Sequence, residues 1–151
     1  MPRKDREIKD LDQIIKIIEK ARVCRLSLFD QNYPYTVPLC FGYKDKTLYF
    51  HSALRGKKID IIKKNKNAGF EIDIPGKILK KGSQCNWDIE YHSVIGYGKA
   101  EIIKNPILKK EAIKIILNHY SFSPSNILEK NIKNTNIIKL DIKKMTGKKS
   151  I

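Results

Sequence analysis

Apolar residues recur at helical spacing in three parts of the chain. Between positions 11 and 18 they define one face of a helix that Asp10 or Asp12 can cap at its N-terminus. A shorter helix of about two turns is predicted between Gly56 and Asn65. The longest helix begins at Pro106, a residue that suits a first helical turn, and reaches residues 119–120. The polar segment 121–134 is expected to form a loop.

Segments rich in β-branched and aromatic residues, several with alternating apolar positions, predict strands between these helices. The predicted strands cover residues 23–29, 35–43, 47–52, 70–74, 91–103 and 136–142, with a further strand or loop over residues 78–85. Pro38 cannot donate to a sheet ladder, so it indicates an edge, a strand start or a bulge, and the backbone around it is expected to be irregular. The turn at residues 44–46 should make a hairpin, and Pro75-Gly76-Lys77 should end the fourth strand. Gly96 and Gly98 indicate a bulge or a close approach of two backbones.

The spacing of these elements predicts the fold class. The strands follow one another closely, and the helices do not alternate with them in the regular way that a doubly wound parallel sheet requires. The pattern favours an antiparallel barrel with peripheral helices. A chain of 151 residues is long enough for one core and too short for two. We therefore expect a single, mainly β domain over residues 1–151.

The charge of the chain allows two interpretations. It has 31 basic and 16 acidic residues, a formal net charge of +15, which would attract nucleic acid, anionic membranes or phosphorylated small molecules. The lysines are scattered through every predicted element, however, as on an ordinary solvated surface. Tyr33, Tyr35, Tyr43 and Tyr49 could stack on bases, but they alternate with apolar residues as core strands do, and no nucleic-acid-binding motif accompanies them.

Cysteine usage and the termini limit the remaining classes. Cys24, Cys40 and Cys85 are odd in number and lack Cys-x-x-Cys spacing, so three thiols are expected and no disulfide or metal site. Cys24 and Cys40 lie in strand-like segments and should be buried, whereas Cys85 should be accessible. The charged N-terminus does not read as a secretory signal, and no window approaches the roughly 20 apolar residues that span a bilayer. A cytoplasmic location without membrane contact is expected.

The most informative stretch joins a predicted strand to a predicted helix. The strand ends in His51 and Ser52, and the helix begins after Gly56 with Lys57 and Lys58. Free N–H groups at a helix start, a glycine that lets a phosphate approach and two cations are phosphate-binding features. A solvated turn in a lysine-rich protein would show the same residues. A Walker loop is excluded, because its upstream glycine and its Ser or Thr after the lysine are absent.

Four segments, in order, make the chain similar to a known family. They are residues 3–7, residues 35–43, the block from His51-Ser52-Ala53 to Gly56-Lys57-Lys58, and Cys85-Asn86-Trp87 followed by residues 91–98. Thr146-Gly147-Lys148 is similar to the family's carboxyl end. In these segments the sequence resembles the nitroimidazole-resistance (Nim) proteins of the pyridoxamine 5'-phosphate oxidase-like FMN-binding split barrels.

The resemblance implies a six-stranded antiparallel split β-barrel that forms a homodimer with FMN between its subunits. The main chain of residues 37–41 would line the flavin ring, the block from His51 to Lys58 would hold the ribityl chain and phosphate, and residues 87–94 would approach from the partner. The cofactor-binding residues implied are Val37, Pro38, Leu39, Cys40, Phe41, His51, Ser52, Ala53, Gly56, Lys57, Lys58, Trp87, Tyr91, Ser93 and Val94.

The histidines and the single tryptophan each allow more than one interpretation of their role. By the resemblance, His51 lies beside the flavin and is the candidate catalytic residue, although a lone histidine at a strand end is more often structural. His92 falls on a long strand that can face an interface, and His119 ends a helix where its charge suits the dipole. Trp87 is expected to anchor a subunit interface, with partial cofactor contact.

The leading functional hypothesis is an FMN-dependent oxidoreductase or nitroreductase with a small-molecule electron donor and acceptor. The alternatives are a non-catalytic flavin or haem binding or sensing protein, with His51 or His92 as axial ligand, and a basic nucleic-acid-binding module. Oxidation of pyridoxamine 5'-phosphate is disfavoured. The basic residues near the carboxyl end, Lys143, Lys144, Lys148 and Lys149, lack the arginine and histidine pattern of the true oxidases.

Overall fold

The computed structural model describes residues 3–80, 82, 87–123, 127 and 129–150. Its helices are α1 (Leu11–Lys20), α2 (Lys57–Lys64), α3 (Pro106–His119) and α4 (Glu129–Lys133), with a short 3₁₀ turn at Lys4–Arg6. Side-chain oxygens of Asp10 and Asn105 accept hydrogen bonds from first-turn N–H groups of α1 and α3. No helix in the described part of the chain is long and apolar enough to span a bilayer.

Eight antiparallel strands form one sheet. They are β1 (Glu7–Ile8), β2 (Cys24–Asp30), β3 (Tyr33–Leu39), β4 (Gly42–Lys44), β5 (Thr47–Ser52), β6 (Asn67–Lys80), β7 (Trp87–Ile103) and β8 (Asn136–Lys149). The order across the sheet is β3-β2-β6-β7-β8-β5-β4, and β1 pairs with β8. The sequence predicted six strands. The short β1 and β4, of two and three residues, lack the alternation that identifies longer strands.

The sheet is bent into an open barrel. β3 and β4 are its two edges, yet only Cys40 and Phe41 separate them in sequence. Three chain steps span at most about 11 Å, so the two edges must lie close together. β3 and β4 do not pair with each other in the described sheet. The result is the antiparallel split barrel with peripheral helices that the sequence predicted.

Alternating residues of the strands fill the inside of this barrel. The buried core includes Cys24, Leu26, Leu28, Phe41, Leu48, Phe50, Phe70, Ile72, Val94, Ala100, Ile138 and Leu140, packed against Ile14, Ile17 and Ile18 of α1 and Ile59, Ile61 and Ile62 of α2. A smaller cluster of Ile103, Ala112, Ile116 and Ile137 seats α3 on the sheet. α3 packs against β4 and against β5, the strand that ends in His51 and Ser52.

Three predicted boundaries were wrong. Pro75-Gly76-Lys77 does not end a strand, because β6 continues to Lys80 and absorbs the proline in a register shift between Pro75 and Ile78. The predicted loop 121–134 contains α4, whose one buried residue, Ile132, gives no recognisable period. β8 also runs beyond residue 142, to Lys149.

The backbone around Pro38 is not irregular, because Pro38 pairs with Arg25 in an unbroken register of the edge strand β3. The hairpin and glycine predictions are confirmed. The hairpin between β4 and β5 turns at Asp45 and Lys46, both with positive φ. The register of β7 on β8 shifts between Tyr97 and Gly98, and Gly98 lies directly against the main chain of Asp141.

The cysteines differ from one another. Cys24 is buried as predicted, and burial raises the pKa of its thiol. Cys40 is exposed, contrary to the prediction, because it falls in the break between β3 and β4 and so lies on no packed face of the sheet. Cys85 lies outside the described residues.

Candidate functional site

The junction of β5 and α2 has the features of an anion site. Ser52, the last residue of β5, is only 5% exposed, and its hydroxyl has no hydrogen-bond partner among the described residues. Gly56, the N-cap of α2, has φ 135° and no side chain to cap the first helical turn. An added Cβ at Gly56 would meet nothing within 4 Å. A buried hydroxyl without a partner and an uncapped helix start are groups that a phosphate would satisfy.

The predicted lysines lie at this junction in different environments. The Lys57 ammonium is 2.9 Å from a carboxylate oxygen of Asp30 and 5.1 Å from the ring centroid of Tyr35. The hydrogen bond to Asp30 raises the pKa of Lys57. Lys58 is half-buried. Asn136 stabilises the loop that precedes Lys57 and Lys58. Its amide donates hydrogen bonds to the carbonyls of Ala53 and Leu54, at 3.3 and 3.0 Å.

The strand predicted to line the flavin ring is an edge strand. β3 pairs only with β2, so the main-chain groups on its other side are unpaired in the described sheet. Val37 and Leu39 pack partly against the core, whereas Pro38 and Cys40 are exposed. Phe41 is fully buried, and its N–H donates to the Tyr120 hydroxyl at 3.1 Å. Main-chain contact with a ring is therefore open to residues 37–40, and Phe41 acts here as a core residue.

A cavity of about 560 Å³ opens beside His51 and Cys40. Its wall is formed by one face of α3 and by described residues that follow that helix in sequence. The lining residues are Cys40, His51, Ile113, Ile116, Leu117, Tyr120, Phe122, Ile127, Asn131 and Thr135. Sequence reasoning assigned α3 no role at a site, since its apolar positions predict only a packed helix.

Two residues at the end of α3 hold this wall in place. The Tyr120 hydroxyl donates to the Arg22 carbonyl at 2.7 Å while it accepts from Phe41. Burial raises the pKa of Tyr120 to about 12. A ring nitrogen of His119 lies 2.7 Å from the Ala21 carbonyl, and the ring centroid is 4.3 Å from that of Phe41. His119 is thus structural.

The residues predicted to approach from a partner subunit lie along β7. Trp87 is 55% exposed and has the Lys80 ammonium 5.0 Å from its ring centroid. Ser93 is half-buried, and Val94 is fully buried inside the barrel, so the Val94 side chain does not reach the outer face. Trp87 and Ser93 can therefore face a partner, whereas Val94 contributes packing.

Tyr91, also on β7, is engaged by the N-terminal segment. A hydrogen bond from Arg6 and, next, one from Lys148 lower the pKa of the Tyr91 hydroxyl. Arg6 also lies 3.2 Å from Asp88, and its buried Nε has no partner among the described residues. The segment 3–7 was recognised only as part of a resemblance, so its contact with a predicted site residue was not anticipated.

The tyrosines that the nucleic-acid alternative requires are mostly unavailable. Tyr35 and Tyr43 pack against the main core and Tyr49 against the smaller cluster. Only Tyr33, at 77% exposure, is free to stack. Three of these four rings therefore serve the fold.

Comparison with known proteins identifies the family. A family model described as pyridoxamine 5'-phosphate oxidase matches residues 10–149. A candidate 5-nitroimidazole antibiotic resistance protein from Bacteroides thetaiotaomicron has a similar solved structure, with 31% identity over 94% of this chain and 85% of that one, and a TM-score of 0.84. No curated protein matches the chain.

Two more distant solved structures share the fold. A flavocytochrome from Azotobacter vinelandii is 16% identical, with a TM-score of 0.81 over 96% of this chain and 69% of that one. An FAD-binding protein from Mesorhizobium loti is 21% identical, with a TM-score of 0.72 over 97% and 98%. The chain therefore belongs to the pyridoxamine 5'-phosphate oxidase family, and its predicted similarity to the nitroimidazole-resistance proteins is confirmed.

Proposed function

We propose that this protein binds FMN and acts as an oxidoreductase that passes electrons from a small-molecule donor to a small acceptor such as a nitroaromatic compound. The proposal is carried by the buried hydroxyl of Ser52, which has no hydrogen-bond partner among the described residues and lies close in sequence to the uncapped start of α2. The ammonium of Lys57, the first residue of α2, lies 5.1 Å from the ring centroid of Tyr35 on β3, so the start of α2 adjoins this edge strand. The described residues thus offer a phosphate site and a strip for a flat ring, as FMN requires.

Different residues would hold the phosphate and the ring of FMN. Ser52, the N–H groups of the first turn of α2 and the ammonium groups of Lys57 and Lys58 would hold the phosphate, and the main chain of β3 that is unpaired in the described sheet would hold the ring. Bound FMN would supply the redox chemistry. Conversion of a nitro group to a nitroso group and water takes two electrons and two protons, for which a pyridine nucleotide or another two-electron donor would be the source. His51, exposed at the end of β5, is the candidate proton donor or positioning residue.

Relatives support a flavin on this fold. The Mesorhizobium loti protein is described as FAD-binding, and a Mycobacterium smegmatis protein with the same fold, 15% identical with a TM-score of 0.81, as binding FAD and haem. We favour FMN over FAD on the resemblance to the Nim proteins. Haem is the alternative cofactor, with His51 at the cavity or the exposed His92 as ligand. A visible spectrum of the purified protein distinguishes haem from flavin.

We propose further that two subunits bury the outer face of the sheet. Phe29 and Tyr97 line a depression on that face together with Pro34, and Ile95 lies nearby on β7. Phe29, Tyr97 and Ile95 are each more than half exposed, at 56%, 51% and 58%. Apolar area of this kind marks an interface, and it would bring Trp87 of one subunit toward the site of the other.

An FMN titration with a matched pair of variants tests the phosphate assignment. Lys58→Ala should weaken FMN binding about tenfold, as expected for a charge-assisted hydrogen bond. Lys63→Ala removes the same charge from the far end of α2 and should leave affinity unchanged. Equal affinities for the two variants would contradict the assignment. Sedimentation velocity of the same samples tests the dimer, and a monomer that binds FMN fully would refute the interface role.

A further inference from the structure

A depression of about 520 Å³ lies between the start of α3 and α4, away from the residues assigned to the flavin. We call it the α3–α4 depression. Its volume falls within the range of about 300 to 1,000 Å³ typical of small-molecule sites. None of its lining residues belongs to β3, β5 or α2. The described residues that line it are Lys104, Pro106, Ile107, Lys109, Lys110, Glu129, Ile132 and Lys133.

The lining of the α3–α4 depression is strongly basic. Four of its eight described residues are lysines, and the one acidic residue is Glu129, so the lining has three more positive than negative charges. In the whole chain only 31 of 151 residues are basic. The depression is therefore richer in cations than lysines scattered evenly along the chain would make it. Its field attracts anions and disfavours cationic ligands.

The lysines of the depression have two different roles. The Lys109 ammonium donates to the carbonyls of Ile132 and Thr135, at 3.4 and 2.8 Å, and so fastens the segment around α4 to α3. The other three have exposed side chains, and their ammonium groups form no hydrogen bond or ion pair with a described residue. These three are Lys104, Lys110 and Lys133. The fixed lysine shapes the depression, and the free ones are available to an anionic ligand.

The depression also offers an apolar surface and no free main-chain donor at the helix start. Ile132 is buried, whereas the side chain of Ile107 is 71% exposed. The N–H groups of Ile107 and Leu108 already donate to the side chain of Asn105, at 2.9 and 3.2 Å. An anion is therefore held by ammonium groups and not by the start of α3. A ligand with an apolar body would in addition cover Ile107.

We propose that the α3–α4 depression binds a phosphorylated small molecule with an apolar or aromatic body, the chemistry of a nucleoside diphosphate. Several lysines around one concave site match the multiple charges of a diphosphate better than the single charge of a carboxylate. Ile107 and Pro106 supply the contact for the body of the ligand. The proposal does not rest on the proposed function, because it uses none of the residues assigned to FMN.

Calorimetric titration with three probes, in the absence of divalent metal ions, tests this ligand class. ADP carries both a ring and phosphates, inorganic pyrophosphate carries the phosphates alone, and adenosine carries the ring alone. ADP should bind at least about tenfold more tightly than either of the other two, and its affinity should fall as salt is added. Equal affinities for ADP and pyrophosphate would show general attraction of phosphate to a basic surface and would overturn the proposal.

Two matched pairs of variants at exposed positions locate the binding. Lys133→Glu should weaken ADP binding about tenfold, whereas Lys16→Glu, the same charge reversal on α1, should leave it unchanged. Ile107→Ala should weaken ADP binding about fivefold without affecting pyrophosphate, and Leu11→Ala, which shortens another exposed side chain, should affect neither. Equal effects within either pair would overturn the assignment to this depression.

FMN distinguishes the failure of this proposal from the failure of the proposed function. If the protein takes up no FMN while the ADP pattern holds, the flavin function fails and the α3–α4 site stands. If saturating FMN displaces ADP, or if Lys58→Ala weakens ADP binding as much as Lys133→Glu does, the nucleotide occupies the proposed flavin phosphate site. Either result would overturn the α3–α4 site.

Discussion

The contact of β4 with α3 makes Gly42 a sensitive position. A Cβ added at Gly42 would lie 2.8 Å from the carbonyl carbon and oxygen of Ile115 and from the Cα of Ile116. All three atoms belong to the backbone of α3, so no side-chain rotation can relieve the clash. The helix would have to move away from the sheet, which would loosen the packing of Ala112 and Ile116.

The expected cost follows from the obstructing atoms. Overpacking costs about 1 to 3 kcal/mol. Because the obstructing atoms belong to a rigid helix backbone, Gly42→Ala should lower the free energy of unfolding by about 3 kcal/mol. With a urea m-value of about 2 kcal/mol/M, the unfolding midpoint should fall by about 1.5 M.

A second glycine supplies the control. At Gly69 an added Cβ would lie 3.6 Å from the carbonyl oxygen of Gly96 and 3.8 Å from the Cβ of Ser27, which are ordinary contacts. Gly69→Ala should therefore change the free energy of unfolding by less than about 0.5 kcal/mol. Midpoints for the two variants that agree within error would refute the argument that the backbone of α3 is fixed against β4.

Three further perturbations follow from the site. Tyr120→Phe should lower stability by about 1 to 2 kcal/mol in urea unfolding, because the hydroxyl serves two main-chain groups. The pKa of Tyr120 is raised to about 12 in the folded state, which favours the protonated hydroxyl there. The contribution of this hydroxyl to stability is therefore complete below about pH 10 and is lost as the pH rises toward 12. The variant should lose less stability than the wild-type protein over that window, and an equal loss would contradict the assignment. Native alkylation followed by peptide mass analysis should modify the exposed Cys40 and spare the buried Cys24, and modification of both at one rate would contradict their placement. Asp30→Asn frees Lys57 from its carboxylate partner and should tighten FMN binding up to about fivefold by fluorescence titration, whereas weaker binding would place Lys57 outside the phosphate site.

The predictable part of the fold is the part with strong periodicity. Helices α1 and α3 bury residues three or four apart, and the long strands bury every second residue, so the sequence pattern locates these elements. Short elements escaped because their structure depends on tertiary contacts. β4 is held by its hairpin with β5 and by α3, and α4 has a single buried side chain, that of Ile132. Pro75 misled the strand prediction because a bulge can absorb a proline that a regular ladder cannot.

Only the part of the candidate site whose residues are close together in sequence could be predicted. Ser52, Gly56 and Lys58 are close in sequence, so their association required no knowledge of the fold. The cavity is different, because it joins His51 to Leu117, which are far apart in sequence. An apolar residue on a helix predicts burial equally well in a core or in a ligand cavity. The curvature of the barrel, which brings α3 over the end of β5, decides between these outcomes.

The central claim is that the protein binds FMN and uses it for redox chemistry. The direct measurement is the visible spectrum of the purified protein, recorded before and after addition of FMN and then of a reductant under anaerobic conditions. The account predicts flavin absorption bands near one equivalent per subunit, bleached on reduction and restored when a nitroaromatic acceptor is added. Failure to retain FMN would contradict the account. A Soret band in place of the flavin bands would favour the haem alternative.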